Sequence, residues 1–484
     1  MRLLHTRIPL LAFTALAAAS ALAQEPQPGA QIKAVENGLT PVVIAKGHPP
    51  ARWSIVERMK AYHVPGVSVA VVHAHRIDWA KAYGVRDQGS REPVTVETLF
   101  QAGSVSKPVA AAAALRLVEQ KKLMLDRDVN LDLRSWKVPE NQFTASEKVT
   151  LRRLLSHSAG LTVHGFPGYA AGTPVPRLVE VLDGKSPANT PPVRVDAVPG
   201  SLWRYSGGGY AVTQLLLTDV TGENFPELMD RLVLKPAGMK QSTYEQPLPE
   251  AARPLAASGH NAAGMPVPGK YHTYPEMAAA GLWTTPSDLA RFGIEIQKAC
   301  EGRSDLLKRE TALEMLRQQK GNWGLGFELR PAANASKFLH GGADEGFRAE
   351  IVFDTNGDGA VVMANSDNGS DLAREIIQSV AGAYGWRDME PKERETVTVD
   401  SATLENYAGR YQSPQLGPAI IRVQNDHLVM SCAVFSDIDF YAASDKVFFP
   451  LAGGLPEITF GKDEHGNVVA SAGPIQATKM QSAK

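Results

Sequence analysis

Two residues near the start of the chain, Ser104 and Lys107, have the types and the spacing needed for nucleophilic catalysis. They are three positions apart, so on the first turn of a helix they share a face and could form a hydrogen bond. A serine hydroxyl becomes a good nucleophile once a neighbouring base takes its proton. A lysine can take part when burial lowers its pKa. In isolation, however, Ser-x-x-Lys more often marks a helix cap followed by a solvated lysine.

The element that must position these two side chains is a helix predicted from Ser104 to about Lys122. Its run of alanines and other good helix formers, residues 109–115, favours a helix. Pro108 is compatible with the first turn, where a missing N–H costs little. The N-terminus of such a helix offers free amides and a positive dipole, both suited to an oxyanion.

Strands are predicted on both sides of a largely helical middle region. Alternating apolar residues predict an early hairpin. Its first strand spans 67–71, and its second follows a turn at 73–76 and runs through Tyr83. Further strands are predicted late in the chain, followed by a helix at about 370–385; these strands span 323–330, 337–341, 347–353 and 359–365. Short connections favour antiparallel pairing. The predicted fold class is therefore α/β, with a central antiparallel sheet built from both chain ends and flanked by helices.

Composition divides the chain into five parts. These are a signal peptide (1–23), a loosely held leading segment (24–50), the α/β domain (51–388), a charged linker (389–400) and a C-terminal all-β domain (401–484). Turn residues at roughly ten-residue spacing indicate a small barrel or sandwich in the last part.

The first 23 residues have the layout of a secretory signal peptide. Arg2 and Arg7 are basic, the stretch 8–19 is apolar, and Ala21 and Ala23 form an Ala-x-Ala cleavage pattern. No later stretch is apolar enough to span a membrane, so the mature protein is expected to be periplasmic or secreted, without an integral span.

Four segments, in this order and spacing, resemble the serine β-lactamase-like family. That family includes class C β-lactamases, D,D-peptidases, D-aminopeptidases and related esterases. The segments are Phe100-Gln-Ala-Gly-Ser-Val-Ser-Lys107, Leu154-Leu-Ser-His-Ser-Ala-Gly-Leu161, Pro199 to Tyr210 with Tyr205 inside it, and His340-Gly-Gly-Ala-Asp-Glu-Gly-Phe347. The resemblance covers about residues 50–385 and implies a β-lactamase/transpeptidase-like fold. Tyr407-Ala-Gly-Arg-Tyr411 further resembles the lipocalin-like barrels appended to some of these hydrolases.

The resemblance implies a role for each matching residue. Ser104 would be the acylated nucleophile, Lys107 would tune its proton, and Tyr205 would act as general base, as a phenolate or by proton exchange with Lys107. His340 would begin the motif on the strand that edges the site. The amides of Ser104 and Ala343, the residue after Gly342, would form the oxyanion hole.

Two departures from the family pattern bear on the substrate. Gly207 stands where the lactamases carry an asparagine, so it offers no side-chain amide to an acylamido group. His340-Gly-Gly replaces Lys-Thr-Gly, and histidine is mostly neutral at pH 7. Both changes disfavour efficient β-lactam hydrolysis, and the third motif is closer to those of D-aminopeptidases and esterases.

Several other classes of function are disfavoured. The 50 basic and 51 acidic residues nearly cancel, which leaves no basic footprint for nucleic acid. Asp354-Thr-Asn-Gly-Asp358 begins like a calcium loop, but Asn365 stands where the twelfth-position Glu is needed, so a hairpin turn is predicted. No metal site and no cofactor is expected, and the two cysteines, Cys300 and Cys432, are expected to be isolated thiols.

The function expected from these residues is hydrolysis of a small ester, amide or D-amino-acid peptide through a serine acyl-enzyme. Two alternatives remain: a catalytically impaired binding or sensing module, and a C-terminal barrel that itself holds a ligand. The oligomeric state is left open, since no heptad pattern occurs.

Overall fold

The structure is a computed structural model that describes residues 28–49, 51–330, 336–386 and 389–480. The predicted signal peptide, residues 1–23, lies outside the described residues.

Residues 28–394 contain eleven helices and ten strands among the described residues. The helices are α1 (Pro28–Glu36), α2 (Ile55–Ala61), α3 (Ser106–Glu119), α4 (Leu151–Leu155), α5 (Leu178–Asp183), α6 (Gly207–Thr221), α7 (Phe225–Met229), α8 (Met277–Ala280), α9 (Pro286–Cys300), α10 (Arg309–Met315) and α11 (Gly369–Tyr384). The strands are β1 (Val43–Ala45), β2 (Gly66–His73), β3 (Arg76–Gly84), β4 (Phe100–Gln101), β5 (Trp283–Thr284), β6 (Glu328–Arg330), β7 (Lys337–Asp344), β8 (Phe347–Asp354), β9 (Gly359–Ala364) and β10 (Lys392–Arg394). Helices α3 to α8 follow one another between β4 and β5. Short 3₁₀ turns span Gly103–Val105, Val129–Leu131 and Glu250–Leu255, and a π-helical turn spans Asp230–Leu234.

The central sheet has six antiparallel strands in the order β3-β2-β9-β8-β7-β6. The first two strands come from the start of the chain and the other four from beyond residue 327. This arrangement confirms the predicted fold class. The turn between β8 and β9 confirms the hairpin predicted there, with Asp354 Oδ1 accepting the amides of Asn356 and Asp358.

Both faces of the sheet are covered by other elements. Successive side chains of a strand point to opposite faces, so one strand contributes to two clusters. On β2, Val67, Val69 and Val71 belong to the cluster that includes residues of α2 and α11. Ala70 and Val72, on the other face, belong to the core that includes α3 and α9. The alanines of α3 are completely buried in that core, so the helix that follows Ser104 is held rigidly.

The C-terminal part is a closed barrel of eight strands, which confirms the predicted barrel. Helix α12 (Ser401–Tyr407) precedes strands β11 (Gly409–Ser413), β12 (Gly417–Gln424), β13 (His427–Cys432), β14 (Phe435–Ala442), β15 (Val447–Pro450), β16 (Ile458–Lys462), β17 (Val468–Ala472) and β18 (Ile475–Lys479). Pairing of β11 with β18 closes it. Strands β14, β17 and β18 are not among those expected from the sequence.

Aromatic side chains pack across the interior of this barrel. Tyr407 stacks on Phe460 with 4.0 Å between ring centres, and Phe460 also contacts Phe448 and Tyr411. Because Tyr411 and Phe460 lie on strands that are not neighbours, their contact passes through the interior. Because these rings fill this part of the interior, a ligand is not expected to bind between them.

The leading segment and the linker are more ordered than the sequence indicates. Helix α1, within the segment expected to be loosely held, packs against α11. Strand β1 pairs in parallel with β10 of the linker, Val43 opposite Lys392. Composition could not show this pairing, since its two strands are some 350 positions apart.

The barrel is attached to the α/β part through the end of α2 and the start of α11. His63 Nε2 and Ser436 Oγ form a hydrogen bond of 3.0 Å. The Asn368 side-chain amide donates to three carbonyl oxygens, those of Tyr62 (2.9 Å), Ala262 (2.7 Å) and Val434 (2.7 Å). One side chain therefore joins three segments of the chain.

A buried ion pair ties α2 to α11. Arg58 donates to both carboxylate oxygens of Glu375, at 2.7 and 2.6 Å, and both residues are almost inaccessible to solvent. Glu375→Gln should lower the free energy of unfolding by about 3–5 kcal/mol, because it leaves the guanidinium buried without its counter-charge. Denaturant titration measures this, and the exposed pair of Lys46 with Glu395 supplies the control variant Glu395→Gln. Equal, small effects from both variants would contradict the expectation.

No helix among the described residues is long and apolar enough to cross a membrane. Within the same ranges, no group of three or more His, Cys, Asp or Glu side chains is placed to hold a metal ion. Cys300 and Cys432 are both free, which confirms that prediction.

Candidate active site

Ser104 and Lys107 are held together where a 3₁₀ turn leads into α3. Ser104 lies in the turn Gly103–Val105 rather than in the first α-helical turn that the sequence predicts. The contact expected from the spacing is present, with Lys107 Nζ 2.8 Å from Ser104 Oγ. Ser106 stabilises the turn, since its hydroxyl donates to Gly103 O (2.6 Å) and accepts the amide of Leu282 (3.0 Å).

Lys107 is almost completely buried. Its Nζ also donates to the carbonyl of Ala279 in α8, at 2.7 Å. Burial lowers the pKa of Lys107 to about 7, and the nearby Asp344 carboxylate partly opposes this effect. A substantial fraction of the amine is therefore uncharged at neutral pH and able to accept a proton.

Tyr205 stands just before α6, and its hydroxyl lies close enough to the Ser104 side chain to be influenced by it. The centre of its ring lies 5.0 Å from Lys107 Nζ. Burial raises the pKa of Tyr205 above its usual value of 10, and the nearby Ser104 side chain partly opposes this effect. The phenol is therefore protonated at neutral pH.

His340 lies on β7 and contacts the same group, with 6.2 Å between its ring centre and that of Tyr205. Burial, together with the charge of Lys107, lowers the pKa of His340 to about 3. Its Nδ1 is 2.6 Å from the carbonyl of Gly341 and so carries the hydrogen, which leaves Nε2 a bare acceptor. The third motif thus presents an uncharged ring to the site.

Strand β7 also approaches the residues before Ser104 very closely. A Cβ added to Gly342 would stand 2.0 Å from the carbonyl oxygen of Ala102. A Cβ on Gly103, whose φ is +51°, would stand 2.5 Å from the amide nitrogen of Ala343. Glycine is required at both positions, and the amide of Ala343 lies against the turn that carries Ser104.

Gly207 is placed differently from the other predicted site residues. It begins α6, and its amide donates to the carbonyl of His164 at 2.9 Å. A Cβ on Gly207 would come within 3.0 Å of His164 O and of the Phe166 ring. Its amide is therefore already paired, and the backbone leaves little space for a larger residue.

Other aromatic rings around Tyr205 were not predicted as site residues. Trp323 meets the Tyr205 ring edge-on at 5.9 Å and the His340 ring at 5.5 Å. Trp203 packs on Trp323 at 5.5 Å and is 39% exposed, so it forms an accessible apolar wall. His157, in the second of the four resembling segments, stacks on Tyr205 at 4.2 Å. That segment was recognised in the sequence, but nothing in it indicated a partner for His157.

Two buried carboxyl groups near the site were also not predicted from the sequence. Asp344 follows Ala343 on β7, and burial raises its pKa well above the usual value, with Lys107 opposing the shift. Glu276 precedes α8, and burial raises its pKa to about 8. Acidic residues in a strand and a loop carry no sequence signal of burial, so only the fold reveals them.

The family model described as Beta-lactamase matches residues 54–383. The chain belongs to the beta-lactamase family. This confirms the resemblance inferred from the four segments.

Curated beta-lactamase-family relatives have more than one activity in their names. Penicillin-binding protein 4 of Amycolatopsis lactamdurans is 27% identical over 372 residues, covering 69% of this chain and 90% of that protein. Esterase EstB of Burkholderia gladioli is 28% identical over 300 residues, covering 54% of this chain and 74% of that protein. The family of serine hydrolases therefore includes esterase and penicillin-binding relatives of this chain.

Solved structures of the beta-lactamase family share the fold. The octameric penicillin-binding protein homologue from Pyrococcus abyssi is 21% identical, with a TM-score of 0.57, and the match covers 88% of this chain and 98% of that one. The D-alanine carboxypeptidase AmpC from Burkholderia cenocepacia is 23% identical, with a TM-score of 0.53, and the match covers 67% and 96%.

Proposed function

We propose that this chain hydrolyses a small ester, amide or D-amino-acid peptide through an acyl-enzyme on Ser104. The observation that supports the proposal most strongly is the 2.8 Å contact between Ser104 Oγ and the buried amine of Lys107. No metal or organic cofactor is needed for this chemistry. An adjacent base with a pKa near the working pH is what a serine nucleophile requires.

In acylation, uncharged Lys107 accepts the proton of Ser104 as Oγ bonds to the substrate carbonyl carbon. Tyr205, protonated and close to Ser104, donates its proton to the leaving group and recovers one from Lys107. Water then attacks the acyl carbon, its proton passes to the same pair, and Ser104 Oγ is released protonated. The pKa directions support Lys107 as the first acceptor and Tyr205 as its exchange partner.

The oxyanion of the tetrahedral intermediate would be held by the amides of Ser104 and Ala343. The close approach of β7 to Gly103 supports this assignment. Preorganised donors of this kind typically contribute about 3 kcal/mol each to the transition state.

The surroundings of Ser104 favour uncharged substrates. His340 supplies no positive charge for a substrate carboxylate, and Trp203 offers an apolar surface. Gly207 cannot provide a side-chain amide. We therefore propose weak or absent β-lactam hydrolysis, with Gly207, Gly342 and His340 shaping substrate binding rather than reacting. Residues 1–23 contain basic residues followed by an apolar stretch and a cleavage pattern, which supports export of the protein.

The test is a panel of a short-chain nitrophenyl ester, a D-alanine amide and a chromogenic cephalosporin. Turnover is followed for the wild type and Ser104→Ala, and rapidly quenched samples are digested for mass spectrometry. The expected result is turnover lost in Ser104→Ala and a transient acyl mass on the peptide that contains Ser104. Wild-type turnover by Ser104→Ala would overturn the proposal. Stable acylation without turnover would instead support the alternative, an impaired binding or sensing module.

A further inference from the structure

The backbone amides of the two residues next to Tyr205 are both hydrogen-bonded to one residue, His157. The amide of Arg204, which precedes Tyr205, donates to the His157 carbonyl at 2.9 Å. The amide of Ser206, which follows Tyr205, donates to His157 Nδ1 at 3.1 Å. Main-chain and side-chain acceptors of His157 therefore fix the backbone of Tyr205 at both ends.

The His157 ring also contacts the tyrosine itself. Its centre lies 4.2 Å from that of Tyr205, with 30° between the planes. Trp323 contacts the His157 ring at 5.2 Å, and Tyr210 contacts it at 5.4 Å. The histidine therefore limits the tilt of the ring whose hydroxyl meets Ser104.

This arrangement depends on an unusual backbone and on one tautomer. His157 has φ of +56°, in the left-handed region that non-glycine residues seldom adopt. Nδ1 must be unprotonated to accept the Ser206 amide, so the hydrogen of the neutral ring is on Nε2. Burial keeps the pKa of His157 well below 6.5, and the charge of Lys107 adds to the effect.

We propose that His157 is a positioning residue that holds the Tyr205 hydroxyl against Ser104. The inference rests on the proposed function, because it concerns the placement of a group in that reaction. His157 acts on Tyr205 through the hydrogen bonds to its two neighbours and through the ring contact. Even a displacement of about 1 Å in a reacting group can reduce turnover about 10²-fold.

His157→Asn and His157→Gly form a matched pair for the test. Asparagine and glycine both tolerate a positive φ, but only asparagine places an acceptor near the position of Nδ1. On an ester that the wild type hydrolyses, His157→Gly should lower kcat about 10²-fold with a smaller change in KM. His157→Asn should recover part of that loss.

A double-mutant cycle with Tyr205→Phe separates positioning from general destabilisation. If His157 acts through the Tyr205 hydroxyl, His157→Gly should cause little further loss of kcat once that hydroxyl is absent. Thermal unfolding of each variant shows whether it is folded. If His157→Gly does not fold, the comparison of His157→Asn with wild type in both Tyr205 backgrounds replaces it.

Each outcome of these experiments either supports or overturns the role of His157. Non-additive losses together with partial recovery by asparagine support the inference. Additive losses in the Tyr205→Phe background, or equal kcat for the asparagine and glycine variants, would overturn it while Ser104-dependent turnover persists. Failure of the proposed function is distinguished by turnover that survives Ser104→Ala.

Discussion

Lys107→Met should lower kcat/KM for any ester that the protein hydrolyses by about 10²–10⁴-fold, the usual contribution of a positioned general base. Methionine fills a similar volume in the core but cannot accept the Ser104 proton. The structure supports a large effect because Lys107 is buried against both Ser104 and Ala279. Steady-state kinetics on the wild type and the variant measure it, with circular dichroism as the control for folding.

The pH dependence of the wild type provides a second measurement on the same residue. The uncharged amine is the active form, so kcat/KM should rise with pH and reach half its plateau near pH 7, at the pKa of Lys107. Asp344, Tyr205, His340 and His157 face this amine, but the two histidines are already neutral at this pH. A rate that is flat between pH 6 and 8, or that falls as the pH rises, would contradict the assignment of Lys107 as the base.

The free energy of unfolding should also depend on the protonation of Lys107. The pKa of Lys107 is about 7 in the folded protein and 10.5 in the unfolded chain, so between these values the unfolded state binds more protons. The free energy of unfolding contributed by this group therefore rises with pH from about 7 to 10.5. Denaturation at several pH values should show this rise in the wild type and its loss in Lys107→Met.

Gly342→Ala should lower both stability and turnover, although it adds only one methyl group. The new Cβ would stand 2.0 Å from the carbonyl oxygen of Ala102, a backbone atom that cannot rotate away. Overpacking of this kind costs about 1–3 kcal/mol of unfolding free energy. It also separates β7 from the Ser104 turn, and loss of one oxyanion donor typically lowers kcat by about 10²–10³-fold.

The neighbouring glycine supplies the matched control. Gly341 is exposed, and the three atoms nearest to a Cβ there would all belong to the flexible Glu350 side chain, at 3.2 Å or more. Gly341→Ala should therefore remain close to wild type in thermal midpoint and in kcat. Wild-type turnover by Gly342→Ala would show that the approach of β7 does not position the amide of Ala343 for the reaction.

The sequence predicts the parts of this protein that rest on local patterns. The alanine-rich run of α3 and the alternating valines of β2 are strong local signals. The predicted positions of α3, α6, α11, β2, β7, β8 and β9 agree with the structure to within a few residues. The pairing of Ser104 with Lys107 is equally local. Strands β14, β17 and β18 were missed.

Features that arise from contacts between distant segments were not accessible to the same reasoning. The burial that shifts the pKa values of Lys107, His340 and Asp344 arises where β7 packs against the Gly103–Val105 turn and α8 packs against α3. The contacts of His157 with Tyr205 join residues 48 positions apart. The sequence therefore indicated candidate reacting residues but not the contacts that hold them in place.

The strand order of the central sheet also constrains how the protein reaches its native state. Strand β2 ends at His73, but its neighbour β9 begins only at Gly359. Forming that pair closes a very long loop, which slows folding and raises contact order. The turn that carries Ser104 likewise needs β7 to pack against it. A chain that is still being synthesised therefore contains Ser104 but not the assembled site. Activity should therefore appear in a single late step, when the segment containing β7 to β9 joins the early hairpin.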